Sequence, residues 1–314
     1  MRGRRLFQVQ TTRVCVLSLA YLGVILPAIS QASIDANGHD TAGQSVPSDD
    51  AVLQWQADYV AAYATARREG RVLLINFVPD RTGDRTVQSK LEDWIEGDAS
   101  LRLRMQDLTL ARLSEDTQII DGGKRIRLLD HPAFRELGGP GIAMLDLRDP
   151  DQPHYGRVVT ALPFADGKYY RWQNSHLNAA LELPAGSISQ RTMVWAVRVH
   201  HEVPASTTGV QHPALAEAAA EQSAYQAQLG KQGHHRWETR FPRIRAAVRA
   251  NGASEVVAES WPDENLIDAC IDCVNSWRQS PGHWQAVRSR QRLFGYDIRR
   301  GRNGIWYGTG IFAN

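Results

Sequence analysis

Sulfur is scarce in this chain. Of 314 residues, three are cysteine (Cys15, Cys270 and Cys273) and four are methionine. So few cysteines exclude a disulfide framework, and stability has to come from hydrophobic cores. A surplus of one charge sign is missing too. The formal net charge is +2, too small to argue for nucleic acid or an anionic membrane as partner. Beyond the N-terminus no segment is long and apolar enough to span a bilayer. The sequence contains no internal repeat, P-loop, dinucleotide fingerprint or Ser/His/Asp set that would name an enzyme class. What remains is ordinary globular material, 43% hydrophobic and 22% charged, long enough for two domains.

The N-terminus reads as an export signal. Arg2, Arg4, Arg5 and Arg13 precede an apolar run from Val14 to Ile29. Ser30-Gln31-Ala32 then offers small residues at the positions a signal peptidase reads, which places cleavage after Ala32. The run is shorter than the roughly 20 residues a membrane span needs. Arg4-Arg5-Leu6-Phe7 also fits a loose twin-arginine pattern, and an uncleaved signal would leave the protein tethered. The expected location is secreted or periplasmic. Cleavage would remove Cys15 and leave Cys270 and Cys273 as the only thiols.

Residues 33–47 are polar and rich in turn formers, and they read as a spacer. The spacing of Val52, Trp55, Tyr59, Val60 and Tyr63 predicts a helix that starts at Ser48-Asp49-Asp50 and stops at Gly70. Val72–Val78 is a near-continuous β-favouring run, suited to a strand buried on both faces. A turn, a helix over Thr86–Ile95 and a strand over Asp107–Leu113 follow. After them come a short helix over His131–Leu137, strands over Ile142–Leu147 and Arg157–Leu162, and a helix over Tyr169–Leu183. This order, with Gly139-Pro140-Gly141-Ile142 before the third strand, resembles a thioredoxin-like domain over residues 48–185. The resemblance makes Pro140 a candidate cis-proline. It also places the family's Cys-x-x-Cys at Val78–Asp84, where this chain has no sulfur. Thiol exchange needs a thiolate, so the domain is expected to be redox-inactive.

Residues 186–212 read as a connector, with Met193–Val199 alternating like a strand and Pro204–Gly209 loop-like. From Pro213 an alanine-rich helix runs to about Leu229. Further on lie Gly233-His234-His235, Arg240, Ala258-Glu259-Ser260, Trp277 with Ser280-Pro281-Gly282-His283, and a terminal Gly-Ile-Trp-Tyr strand. These resemble the CAP superfamily, the cysteine-rich secretory and pathogenesis-related-1 fold. The Trp-x-x-Ser-Pro-Gly-His stretch matches its bacterial motif residue for residue, whereas Glu259 meets the Gly-Glu-Asn motif only in part. The fold class implied is therefore α/β, a thioredoxin-like domain followed by a CAP-like α/β/α sandwich over residues 213–314. The resemblance also implies a cleft lined by His234 or His235, Glu259 and His283, able to hold a divalent metal such as zinc. A fourth group is open among Glu264, Asp268 and Asp272. The alternative is that these residues hydrogen-bond one another and brace loops.

Cys270-Ile271-Asp272-Cys273 has the spacing of a redox motif. Leu266, Cys270, Cys273, Val274 and Trp277, however, recur at helical spacing and form one apolar stripe. That placement suits buried thiols or a local disulfide better than catalysis, which favours a helix start. The functional expectation is an exported, non-catalytic binding or scaffolding protein for an extracytoplasmic ligand or protein. The competing readings are a metal-assisted hydrolase with Glu259 as base, and an oxidoreductase using Cys270 and Cys273.

Overall fold

The computed structural model describes residues 53–79, 86–165, 167, 168 and 171–314, with residues 86–89 described by their backbone only. The expected signal, its cleavage site, Cys15, the spacer and positions 80–84 of the sulfur-free loop lie outside the described residues. The fold is mixed α/β, built on two main sheets and one small hairpin.

The first sheet grows from β2 (Val72–Val78), whose five central residues are all buried. Before it lie β1 (Trp55–Gln56) and α1 (Tyr59–Glu69). Asp58 starts α1 by accepting a hydrogen bond at Oδ1 from Ala61 N (2.7 Å), and Gly70 ends it in a left-handed conformation at φ 61°. The expected start at residues 48–50 is thus corrected. Trp55 belongs to a strand, in register with Leu110, and Arg112 stacks over its ring at 4.9 Å. Next come α2 (Thr86–Gly97), α3 (Ala99–Gln106), β3 (Thr109–Ser114), β4 (Gln118–Asp121) and β5 (Lys124–Arg127). The β4–β5 hairpin was not expected. Its turn is Gly122-Gly123, both at positive φ, the conformation that a tight two-residue hairpin loop demands. Two 3₁₀ turns, Leu128–Asp130 and Pro132–Phe134, stand where a short helix was expected. The order closes with β6 (Gly141–Asp146), β7 (Val158–Pro163) and α4 (Asn174–Leu181), the last beginning later than its expected start at Tyr169.

The strands lie side by side as β1-β3-β2-β6-β7. The first three are parallel, and β6 and β7 are antiparallel to their neighbours. Leu73, Ile75 and Phe77 pack toward Ala62 and Ala66 of α1, while Leu74 faces the larger core. This alternation explains why β2 reads as continuously apolar. No cis peptide bond occurs among the described residues, so the bond before Pro140 is trans and the cis-proline expectation is corrected.

The second sheet is flanked by helices on both faces. Its elements are α5 (Ile188–Arg198), β8 (Val210–Gln211), α6 (Pro213–Leu229), α7 (Trp237–Val248), β9 (Ala253–Glu259), α8 (Leu266–Gln279), α9 (Pro281–Arg288), β10 (Leu293–Arg300) and β11 (Trp306–Ala313). The order is β8-β10-β11-β9, which leaves β9 at an edge. Leu215 and Ala219 of α6 and Ile244 and Val248 of α7 cover one face, against Leu293 and Ile311. Cys273, Val274 and Trp277 of α8 and Trp284 of α9 join Val256, Ala258, Tyr296 and Phe312 in the core on the other. Gly295 lets α6 lie directly on β10: a Cβ there would sit 2.2 Å from Ala216 N.

The strand expected over Met193–Val199 is a helix. Ser187 accepts from Gln190 N and Gln190 Oε1 accepts from Ser187 N, a complete capping box. Residues 191–197 are buried all round, so helical periodicity is erased from the sequence. This helix packs against β7 of the first sheet and against α8 and β10 of the second. The apolar core accordingly runs unbroken from Leu74 to Phe312, with no gap in packing at 186–212. No helix among the described residues is long and apolar enough to cross a membrane.

Candidate functional site

Two of the expected residues meet. His234 lies in the loop between α6 and α7, and His283 in the first turn of α9. Their Nε2 atoms are 3.4 Å apart and their ring centroids 5.5 Å. The loop is held from below by buried glutamines of α6. Gln222 Nε2 donates to Gly233 O (2.7 Å), and Gly233 N donates to Gln226 Oε1 (3.1 Å). Gln226 in turn donates to Thr309 Oγ1 (3.0 Å). Beside them, Gln232 Nε2 donates to Val257 O on β9 (3.1 Å), tying the loop to the strand. His283 is placed by the break between α8 and α9. Pro281, preset for the first helical position, starts α9, and Trp284 N donates to Ser280 O (2.8 Å). The Ser-Pro-Gly-His stretch thus begins a helix as well as ending one.

The carboxylate behind the pair is Glu255, which the sequence reading missed. His234 donates from Nδ1 to Glu255 Oε1 (3.0 Å). Arg240 grips the same carboxylate with two nitrogens, Nη2 to Oε1 at 2.9 Å and Nη1 to Oε2 at 2.7 Å. The Glu255 side chain is 1% exposed and that of Arg240 10%. Arg240 Nε also donates to His235 O (3.0 Å), and the guanidinium lies 5.2 Å from the Trp237 ring. With its hydrogen on Nδ1, a neutral His234 presents a bare lone pair at Nε2 toward His283. Burial, and then the neighbouring His234, push the His283 pKa below the usual histidine value. His283 therefore favours the neutral form that binds ligands through nitrogen.

The other expected residues do not join them. Glu259 is exposed at the end of β9 and hydrogen-bonds to neither histidine. It shares a face with Glu255, but four residues of strand rise separate the two by roughly 13 Å. The expected Glu259–His283 contact is therefore corrected. His235 turns away, donating from Nε2 to Lys231 O (3.1 Å) against the Tyr225 ring. None of the candidates for a fourth group reaches the pair. Glu264 binds Lys168 Nζ at 2.9 Å, Asp268 accepts from Lys168 N at 2.8 Å, and Asp272 accepts from Trp261 N at 3.2 Å. Among the described residues no group of three or more His, Cys, Asp or Glu is arranged to hold a metal ion. The histidine pair supplies two ligands only.

Cys270 and Cys273 are free and fully buried within α8. Burial raises both thiol pKa values well above normal, with Cys273 adding to the rise at Cys270 and Asp272 to the rise at Cys273. Neither supplies the exposed thiolate that exchange requires. The expected apolar-stripe placement is observed, and the local disulfide is not formed. No family model, no curated protein and no solved structure matches the chain.

Proposed function

We propose that this protein is an exported, non-catalytic binding protein, a thioredoxin-like region followed by a CAP-like one. Its ligand-binding cleft is formed by His234 and His283. The order β1-β3-β2-β6-β7 supports the first half of that reading, and the four-stranded sheet between helical layers supports the second. One observation carries the binding assignment. Two imidazole nitrogens converge at 3.4 Å, and the carboxylate that orients His234 is locked by an arginine. A carboxylate so engaged is a positioning group and cannot also serve as a free base. Glu259, the base of the hydrolase reading, hydrogen-bonds to neither histidine, which disfavours that reading. The burial of both thiols disfavours the oxidoreductase.

A metal ion is a second reading with its own support. Two nitrogens each 2.0–2.1 Å from a tetrahedral zinc lie about 3.4 Å apart, the separation found between these rings. A carboxylate on the far nitrogen of a ligating histidine is the usual second-layer partner. Such an ion would keep open positions for a ligand's own donor. Titration of the purified protein with zinc, followed by imidazole ¹⁵N NMR, tests the site. Zinc should shift His234 and His283 together, and Glu255→Gln should weaken binding by about tenfold. If neither ring responds to zinc, the metal reading fails. If His283→Ala leaves the His234 resonances unchanged, the cleft itself is wrongly assigned.

A further inference from the structure

A cleft of about 920 Å³ opens on the seam between the two sheets, away from the histidine pair. One wall is the turn leading into β7, with Arg157. The opposite wall is the end of β10, with Arg299 and Arg300. The Trp306 ring supplies an apolar floor, fixed because its indole nitrogen donates to Glu264 O (2.8 Å). A volume of this order at a seam between folding layers suits a small molecule.

The charge on the walls is one-sided once existing pairs are subtracted. Both carboxylates lining the cleft are engaged, Glu136 by Arg135 at 3.1 Å and Glu264 by Lys168 at 2.9 Å. Arg299 uses Nε on the buried Asp297 (2.8 Å), and Arg300 uses one terminal nitrogen on the exposed Asp263 (3.1 Å). Each keeps further N–H donors free. The Arg157 guanidinium is exposed and makes no hydrogen bond or ion pair with a described residue. Guanidinium forks match carboxylate and phosphate oxygens in pairs.

We propose that this cleft binds a small polyanion, a molecule with at least two carboxylate or phosphate groups, held between Arg157 on one wall and Arg299 and Arg300 on the other. The two walls require two anionic groups, and the tryptophan floor takes the carbon skeleton between them. Calorimetric titration of the full chain with citrate and with pyrophosphate tests this. At least one should bind saturably with a Kd of about 1 mM or below. Tighter binding of citrate identifies a carboxylate ligand, and tighter binding of pyrophosphate a phosphate one. Arg157→Ala should weaken binding at least about tenfold, and Arg157→Lys should fall between, because lysine keeps the charge but loses the fork. Arg157 holds no other residue in place, so the variant should keep the wild-type melting temperature. Saturable binding by neither probe overturns the proposal. Wild-type affinity in Arg157→Ala also overturns it, as does loss of binding in His283→Ala, which would put the anion on the histidines.

Discussion

Glu255 and Glu259 are the same residue type on the same face of one strand, yet their surroundings differ in every other respect. Glu255 is enclosed by Arg240 and His234, while Glu259 stands in solvent at the strand end. Removing one partner of a buried ion pair leaves the other charge uncompensated. Glu255→Ala should therefore cost about 3–5 kcal/mol in urea denaturation, whereas Glu259→Ala should stay within about 0.5 kcal/mol. Equal effects would mean that the pair is solvated in a way the geometry does not show. Asp297 offers a second residue-scale test. Its carboxylate is fully buried on β10, where it accepts from Ser189 Oγ (2.6 Å) and Ser223 Oγ (2.7 Å). Burial outweighs these bonds and Arg299 and raises its pKa. Asp297→Asn removes a buried charge and keeps a hydrogen-bonding group, so at pH 7 it should be better tolerated than Asp297→Ala, which strands both serines. Melting temperatures of the two variants decide this.

At the scale of elements, α5 is the helix on which both sheets rest. Its Arg191 is 5% exposed and satisfied by the chain around it. Nε donates to Thr160 Oγ1 (2.9 Å), Nη1 to Leu183 O and Pro184 O (both 2.8 Å), and Nη2 to Ala180 O (3.3 Å). The carbonyls of Ala180 and of the residues just past α4 are those that a helix end leaves without donors. A cation there also meets the negative end of the helix dipole. Burial lowers the Arg191 pKa to about 10, so the side chain stays charged at neutral pH. Arg191→Met fills similar volume and removes every donor. It should cost about 3–5 kcal/mol, measured by denaturant unfolding, with Arg191→Lys intermediate. A neutral Arg191→Met would show that water replaces the guanidinium at the seam.

At the scale of the whole molecule, stability should depend on pH in a definite direction. Burial lowers the pKa of His176, His200 and His283. In each case the unfolded chain binds the proton first, so these groups favour folding above their unfolded value of about 6.5 and oppose it as pH falls below. The unfolding midpoint should drop between pH 7.5 and 5.5, and His200→Gln should flatten that drop. His200 is the sharpest case, since its Nδ1 accepts from Glu202 N (3.2 Å), a bond that protonation destroys. An unchanged pH profile in the variant would remove His200 from the account. Proteolysis tests the continuity of the core. Pro204–Gly209 reads as an open loop, yet Ala205 N donates to Arg288 O (3.1 Å) and Ser206 N to Val287 O (3.1 Å). Ser206 Oγ lies 2.7 Å from the buried Tyr296 hydroxyl. Limited digestion should leave this stretch intact, and a cut there would indicate local opening that the packing does not suggest.

The sequence by itself determined the elements that carry their own signals. The run Val72–Val78 could only be a buried strand. The alanine-rich helix from Pro213 to about Leu229 was legible, and the stripe through Cys270 and Cys273 placed both thiols inside. His283, and His234 or His235 beside it, were legible as site candidates through their motifs, but not which of the two neighbouring histidines meets His283. Other features were decided by tertiary structure. The segment Met193–Val197 is buried on every side, so it carried no period to separate helix from strand, and only the capping box Ser187–Gln190 marked it. Glu255 was missed because motif matching looked to the strand's end. The usable signal was a second carboxylate four residues earlier on the same face of the strand, and which of the two glutamates meets a histidine depends on where the α6–α7 loop crosses β9. The seam cleft was invisible for the same reason. Arg157, Arg299 and Arg300 are surface arginines in sequence, and only packing of the two sheets through α5 brings them to one cavity. Local pattern fixes an element because neighbouring residues share its period, whereas a site between elements is fixed by contacts that no local pattern records.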